Sequence, residues 1–372
     1  MKSLSSRAAS LSSPTGVLMS RPSIKDVARQ AGCSVSTVSL VVNGHGNVSD
    51  ETRARVMKVV HDLGYYATRA ARGLASRTSG NIGFILREDH FSQVEPFYTR
   101  VFLGAEFAAR DHHFYVLLAT VSQRFSEKKD LPRFLLERNV DGIIIAGKVS
   151  QRFIDEAETF GIPIVFVDFE VRKKRHASIL IDNRSGARAA VEHLLSCGHK
   201  DIAFIGGDIT HPSLADRLQG YKETLAEHGI AVEDRLIDIR ETDTRIPNGA
   251  HAMARLLQLR PRPTAVFAAN DAMAIGCIQQ IREHGLSIPG EVAVVGFDDV
   301  EMSSLMLPRL TTLRVFKEEL GSQAVNTLVE MIHHGENVVV TKHLPVELIV
   351  RDSSCTPVPV KDLTAAQDRI TR

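Results

Sequence analysis

The stretch Ser23-Ile24-Lys25-Asp26-Val27-Ala28-Arg29-Gln30-Ala31-Gly32-Cys33-Ser34-Val35-Ser36-Thr37-Val38-Ser39-Leu40-Val41-Val42-Asn43 holds two short helical patterns joined by a Gly-x-Ser turn. Ile24, Val27, Ala28 and Ala31 recur at helical spacing and give the first pattern an apolar face. Ser23 suits its N-cap, where a hydroxyl accepts from a free backbone N–H. Gly32 supplies the turn. Ser34 caps the second pattern, in which Val38, Val41 and Val42 point inward and Val35, Ser36, Ser39 and Leu40 stay outside. Two helices so joined form a helix-turn-helix, whose second helix enters the DNA major groove. An ordinary helical hairpin fits the same pattern, so the rest of the chain must choose between them.

Working outward, Asn43-Gly44-His45-Gly46-Asn47 is a loop by its composition. Ser49 caps a third helix, with Asp50 and Glu51 at its positive end. Val56, Val59, Val60 and Leu63 form its buried stripe, and Gly64 stops it. A three-helix domain is expected over 23–67. Upstream, residues 1–22 are rich in Ser, carry Pro14, Gly16 and Pro22, and are expected to be disordered. Met19 stands close before the first helix and is an alternative to Met1 as the start of translation. Downstream, 68–80 reads as a hinge. Thr68 to Ser76 can form one short helix, too short to hold without a packing partner.

Charge supports a nucleic-acid role for the head alone. The 372 residues sum to +1, but residues 1–80 hold 11 Lys and Arg against 4 Asp and Glu, a net of +7. The remainder holds 34 against 40, a net of −6. A basic head on an acidic body suits phosphate contact by the head. The four cysteines, Cys33, Cys197, Cys277 and Cys355, share no CxxC spacing and are expected to be unpaired core or surface residues. That usage fits a reducing cytoplasm. No apolar run reaches membrane-spanning length, and no signal-peptide core stands at the N-terminus.

From Asn81 short apolar runs alternate with amphipathic stretches. The runs are Ile82–Leu86, Tyr115–Ala119, Gly142–Ala146, Ile164–Val167, Ile179–Ile181, Ile202–Ile205, Ala265–Ala268 and Val292–Gly296. Near-continuous apolar strands separated by helices predict parallel sheets covered on both faces. The length is enough for two doubly wound subdomains, whose ligands bind at the C-terminal ends of strands.

With these features in place, the chain resembles the lactose-repressor/galactose-repressor (LacI/GalR) family of bacterial transcription regulators over roughly 22–352. The carriers are the helix-turn-helix, Asn47-Val48-Ser49-Asp50-Glu51-Thr52-Arg53, Leu63-Gly64-Tyr65 and Val140-Asp141-Gly142-Ile143-Ile144. Gly198-His199-Lys200-Asp201-Ile202-Ala203-Phe204-Ile205-Gly206-Gly207 and Arg217-Leu218-Gln219-Gly220-Tyr221 follow. Pro263-Thr264-Ala265-Val266-Phe267-Ala268-Ala269-Asn270-Asp271, Val294-Val295-Gly296-Phe297-Asp298-Asp299 and Leu310-Thr311-Thr312 complete the series. The resemblance implies an α/β body at 81–352 like the periplasmic sugar-binding proteins. It also implies a homodimer or tetramer, a palindromic operator, and control of operator binding by a small-molecule effector, a sugar or sugar derivative. The body would cross between subdomains near Asp182, Leu310 and Gly335, with 353–372 as a C-terminal tail.

The resemblance also assigns roles. Val35, Ser36 and Leu40 match base-reading positions. Ser36 can bond several base edges and Val35 can touch a thymine methyl. Leu40 stands where the family most often has Arg, which removes a guanine contact worth ~1–3 kcal/mol. Thr37, Ser39, Thr52, Arg53 and Arg55 would hold phosphates. In the hinge, Arg72 would touch DNA and Leu74 would wedge into the minor groove at the operator centre. Phe97, Tyr98, Asp168, Arg217, Asn270 and Asp298 match effector positions, with the polar groups suited to sugar hydroxyls and the aromatics to a ring face.

Neither catalysis nor a cofactor is expected. Gly206-Gly207 follows a strand, but no GxGxxG, P-loop, GxSxG or HExxH accompanies it. His112-His113 and His333-His334 are adjacent pairs, a spacing that does not put both rings on one helix face, so no metal site is expected. A transport-type binding protein would match the body, but the basic head and the missing export signal argue against it.

Overall fold

The computed structural model describes residues 22–42, 46, 48–65, 78–90, 97–171, 176–335 and 339–355. The chain divides into two units between Ser79 and Gly80. Arg72, Leu74 and the expected hinge helix lie outside the described residues, as does the N-terminal extension before Pro22.

In the first unit, α1 (Ile24–Ala31), α2 (Val35–Val42) and α3 (Asp50–Asp62) enclose one small core of Val27, Val38, Val56 and Tyr65. The expected stops hold. Gly32 and Gly64 take φ of 62° and 58°, the left-handed region that glycine enters without a Cβ clash. Ser34 Oγ accepts from Thr37 N at 3.1 Å and Ser49 Oγ from Thr52 N at 3.4 Å. At the start of α1, Ser23 donates from both its backbone N and its hydroxyl to Asp26, at 3.0 and 2.7 Å.

The second unit contains two six-stranded sheets. The first takes β1 (Asn81–Arg87), β2 (Tyr115–Val121), β3 (Gly142–Ala146), β4 (Ile164–Val167), β5 (Ala177–Ile181) and β11 (Thr341–Leu344), in the order β11-β5-β4-β3-β1-β2. The second takes β6 (Ile202–Ile205), β7 (Ile237–Asp238), β8 (Ala265–Ala268), β9 (Ala293–Asp298), β10 (Thr311–Val315) and β12 (Val346–Ile349), in the order β12-β10-β9-β8-β6-β7. Every pairing is parallel except β12 on β10. The central strands β3, β4, β6 and β8 are buried along their whole length, as helices on both faces require.

On the first lobe, α4 (Phe97–Asp111) and α12 (Lys317–His334) cover one face, while α5 (Arg133–Leu136) and α6 (Gln151–Glu158) lie over the other, where Phe134 and Phe153 are buried. Gly104 and Gly321 let α4 and α12 meet closely, since a Cβ on either would overlap a backbone carbonyl of the facing helix. On the second lobe, α7 (Asn183–Ser196) and α8 (Pro212–Glu227) pack together on one face, and α9 (Ile246–Leu257) and α10 (Asp271–Glu283) on the other. A short α11 (Glu301–Leu305) follows β9.

The chain leaves the first sheet after Ile181, returns after Val315, and passes forward again at Pro345. The passages expected near Leu310 and Gly335 therefore come later. Thr311 and Thr312 are wholly buried and open β10 beside β9. Gly335, with φ of 66°, is the left-handed C-cap of α12, and the chain still adds β11 to the first lobe. The expected tail also starts too early. Ser353 accepts from Val294 N at 2.7 Å and donates to Val294 O at 2.6 Å, so 353–355 belongs to the second lobe. The cysteine reading needs correcting as well. Cys197 and Cys355, 158 residues apart, are joined as a disulfide, while Cys277 is buried and Cys33 half-buried. No sequence spacing advertises a pair brought together by docking of the C-terminal segment.

Candidate functional site

The head presents α2 as its open helix. Val38 and Val41 anchor it, and Val35 and Leu40 stand 41% and 42% exposed beside exposed Ser36. Leu40 lies against Gly46 in the following loop. The residues expected to grip phosphate are more committed than sequence implies. The Thr37 hydroxyl pairs with Ser34 Oγ at 2.8 Å, Thr52 accepts from Ser49 Oγ at 3.0 Å, and Arg55 donates Nε to Ala31 O at 3.0 Å. Arg55 thus ties α3 to the end of α1, with the rest of its exposed guanidinium facing solvent. Ser39 and Arg53 are half-buried.

The second unit brings Phe97, Tyr98, Asp168, Arg217, Asn270 and Asp298 around one cavity of about 400 Å³. The reason is topological. Asp168 directly follows β4, Asn270 follows β8 within two residues, and Asp298 ends β9, so the carboxyl edges of both sheets face the same space. Phe97 and Tyr98 open α4 from the first lobe, their rings 5.0 Å apart edge to face. Both aspartates hold positive φ, 56° for Asp168 and 116° for Asp298. Such backbone costs ~1–3 kcal/mol per residue and persists where the surroundings enforce it, as at binding sites.

The two carboxylates differ in their partners. Asp168 accepts from Tyr98 Oη at 2.9 Å and from Ser213 Oγ at 2.6 Å, the latter across the lobes. Burial, then the nearby Asp168 charge, holds the Tyr98 phenol well above its ordinary pKa, so it remains a donor. Asp298 Oδ1 is buried and, among the described residues, is the buried side-chain polar atom with no hydrogen-bond partner. Its nearest cation, Arg217 Nη2, stands at 3.7 Å. Burial pushes the Asp298 carboxyl up to about 6, against the opposing pull of Arg217 and Lys317. Lys317 donates to the Asp298 backbone carbonyl instead.

Arg217 is spent on structure. Nε donates to Asn183 Oδ1 at 2.8 Å, Nη1 to Ala269 O at 2.5 Å, and the guanidinium stacks 3.6 Å over the Phe297 ring. Asn270 is at once an N-cap, accepting from Met273 N at 2.9 Å, and a cavity residue. Behind it, wholly buried Asp271 accepts from Val300 N and Ser303 Oγ, both at 2.8 Å, and from Thr312 Oγ1. It ties the loop after β9 to β10, and burial raises its carboxyl to about 7.

Sequence reasoning passed over His211 and Ser213 at the start of α8, and the apolar wall of Leu214, Ile246 and Ile275. His211 and Ser213 lie just beyond β6, so the strand-end rule that found Asp298 points to them too. Burial keeps His211 below its ordinary pKa, and its Nδ1 accepts from Ser213 N at 3.3 Å. The apolar wall carries no local signal, because those residues look like any buried helix face.

Comparison with known proteins agrees with both halves. The family described as bacterial regulatory proteins, lacI family, matches residues 23–67, and the periplasmic binding protein-like domain matches 191–354. Catabolite control protein A of Priestia megaterium is 33% identical over 312 residues, 83% of this chain and 92% of that protein. The ribose operon repressor of Haemophilus influenzae is 32% identical, covering 89% of this chain and 98% of its own. Among solved structures, the Lac repressor dimer bound to operator and the anti-inducer ONPF superposes with a TM-score of 0.76 at 30% identity, covering 91% of this chain and 100% of that one. The transcriptional regulator CelR in complex with cellobiose gives 0.69 at 30% identity, covering 90% and 100%. An effector-controlled DNA-binding regulator, not an enzyme, is what this architecture serves: the chain belongs to the LacI family of bacterial regulatory proteins.

Proposed function

We propose that this chain is a cytoplasmic transcriptional repressor that binds a palindromic operator as a homodimer and takes a neutral sugar or sugar derivative as effector. The effector reading rests on one observation: a buried carboxylate oxygen without a partner, Asp298 Oδ1, in a cavity that also offers an aromatic pair. A sugar hydroxyl donates to such an oxygen, and a ring face packs on Phe97 or Tyr98. The charge balance disfavours anions. Asp89, Asp168 and Asp298 line the cavity, whereas Arg217 is already engaged and His211 is held neutral by burial. Relatives point the same way, one solved with cellobiose and another with bound ribose.

Control follows from linkage. Asp168 to Ser213, and Lys148 to Asp208 at 3.5 Å, join the two lobes. An effector touching both lobes favours one lobe arrangement by its differential affinity and no more. In this reading that arrangement decides whether the hinge at 68–80, with Arg72 and Leu74, can form its helix on DNA. Val35, Ser36 and Leu40 then read bases, and Arg53 and Arg55 set position.

A thermal-shift panel of neutral sugars against their phosphate esters, followed by gel shifts on genomic fragments, tests this. A neutral sugar should raise Tm by mass action and alter a discrete DNA band. Shifts from phosphorylated compounds alone would sink the effector assignment, and absence of any preferred DNA would sink the operator assignment.

A further inference from the structure

A second chemical cluster lies on the second lobe, and none of its members lines the cavity. Cys197 caps the C-terminal end of α7, and Cys355 follows the docked Ser353-Ser354 pair. Their Cα atoms are 5.6 Å apart, inside the span a disulfide bridges, and the structure joins the two sulfurs. His193, one turn earlier on α7, faces both. Its Nε2 lies 3.8 Å from Cys197 Sγ, 4.0 Å from Cys355 Sγ and 2.7 Å from Ser354 Oγ. All three residues are half-buried rather than enclosed in the core.

The pair is held in place without its bond. Ser353 pairs with Val294, Thr311 N donates to Ser353 Oγ at 2.9 Å, and Thr311 Oγ1 lies 2.7 Å from Ser354 Oγ. Docking by these hydrogen bonds brings Cys355 to Cys197 in the dithiol state too. A regulator that works beside DNA in a reducing compartment keeps structural disulfides rarely, and those that form there are mostly transient and redox-sensing.

We propose that Cys197 and Cys355 are an oxidation site for hydroperoxides, closing from dithiol to disulfide. One thiol gives its proton to His193, and the thiolate attacks the peroxide O–O bond. An alcohol, or water from hydrogen peroxide, leaves, and a sulfenic acid remains. The second thiol attacks that sulfur and expels water, so two thiols and one hydroperoxide yield one disulfide, one alcohol and one water. His193 suits the proton transfer because its Nε2 stands within about 4 Å of both sulfurs. The closed bond fastens the C-terminal segment to α7, whose other end supplies Asn183 to Arg217.

The test uses the full chain, reduced, freed of reductant and exposed to hydrogen peroxide. Labelled thiols should fall from the four the sequence contains to the two outside the pair. Proteolysis and mass spectrometry should recover a peptide linked through Cys197 and Cys355. Tm should rise by roughly 5–10 °C and return on reduction. Cys355→Ser should abolish the shift, and Cys33→Ser with Cys277→Ser should keep it. Four labelled thiols after peroxide, or sulfinic acid without the linked peptide, would overturn the proposal. So would stoichiometric Zn²⁺ that protects both thiols from label and from peroxide, since the same three atoms would then form a metal site.

Discussion

On α2 of the head, the residues that would read DNA and the residues that hold the helix are different. Val35, Ser36 and Leu40 stand in water on one side, and Val38 and Val41 are buried on the other. In the lobed core the two duties fall on the same side chains. Arg217 lines the cavity and also anchors Asn183 and Ala269, Asn270 lines it and caps α10, and Asp168 lines it and joins the lobes. Among the described residues, Asp298 Oδ1 is the buried side-chain polar atom left without a hydrogen-bond partner. A surface reading site can change its letters without touching stability. A buried site can change its ligand only through the groups that the fold has not already used.

That contrast can be broken most directly at Arg217. Arg217→Ala strands Asn183, the Ala269 carbonyl and Asp298, and should cost ~3–5 kcal/mol of stability, as removal of one member of a buried pair does. Urea unfolding would show it as a lower midpoint. A loss under 1 kcal/mol would mean the guanidinium is not structural. Next, Asp298→Ala should weaken effector binding by roughly ten- to a hundredfold, the worth of one hydrogen bond to a charged group. Operator affinity without effector should stay within twofold, and isothermal titration beside a gel shift separates the two. In the head, Leu40→Arg should leave Tm unchanged while favouring guanine at one half-site position by about 1–3 kcal/mol, measurable by selection from a randomised operator. A Tm loss there would contradict the separation of duties.

The same site also predicts an effect of pH. Asp298 titrates near 6 in the folded protein because of burial, against ~3.9 in an unfolded chain. The folded state therefore binds this proton more tightly, and stability falls as pH rises from about 4 to 6, by up to about 1.4 kcal/mol per unit from this group. Asp298→Asn should flatten that part of the profile. Effector affinity should run the other way, falling as pH drops below 6, because the protonated carboxyl no longer accepts at both oxygens.

Among the described residues no helix is long and apolar enough to cross a membrane. The three head helices, their caps and the central strands could all be read from the residues themselves. Helical spacing and apolar runs record burial, and burial on one face or on both is a local property of the pattern. The strand-end positions of Asp168, Asn270 and Asp298 followed from the same runs. Other features depended on partners far away in the chain. The two-residue β7 and the edge strands β11 and β12 are partly exposed and carry no apolar run. Thr311 and Thr312 are fixed in the core by Asp271 and Ser353, which lie far from them in the chain. Cys197 meets Cys355 only because 353–355 docks against Val294. Which oxygen stays unpaired in the cavity was likewise settled by tertiary structure. Hydrogen bonding among groups from both lobes is a matter of three-dimensional placement, and no periodicity along one chain records it.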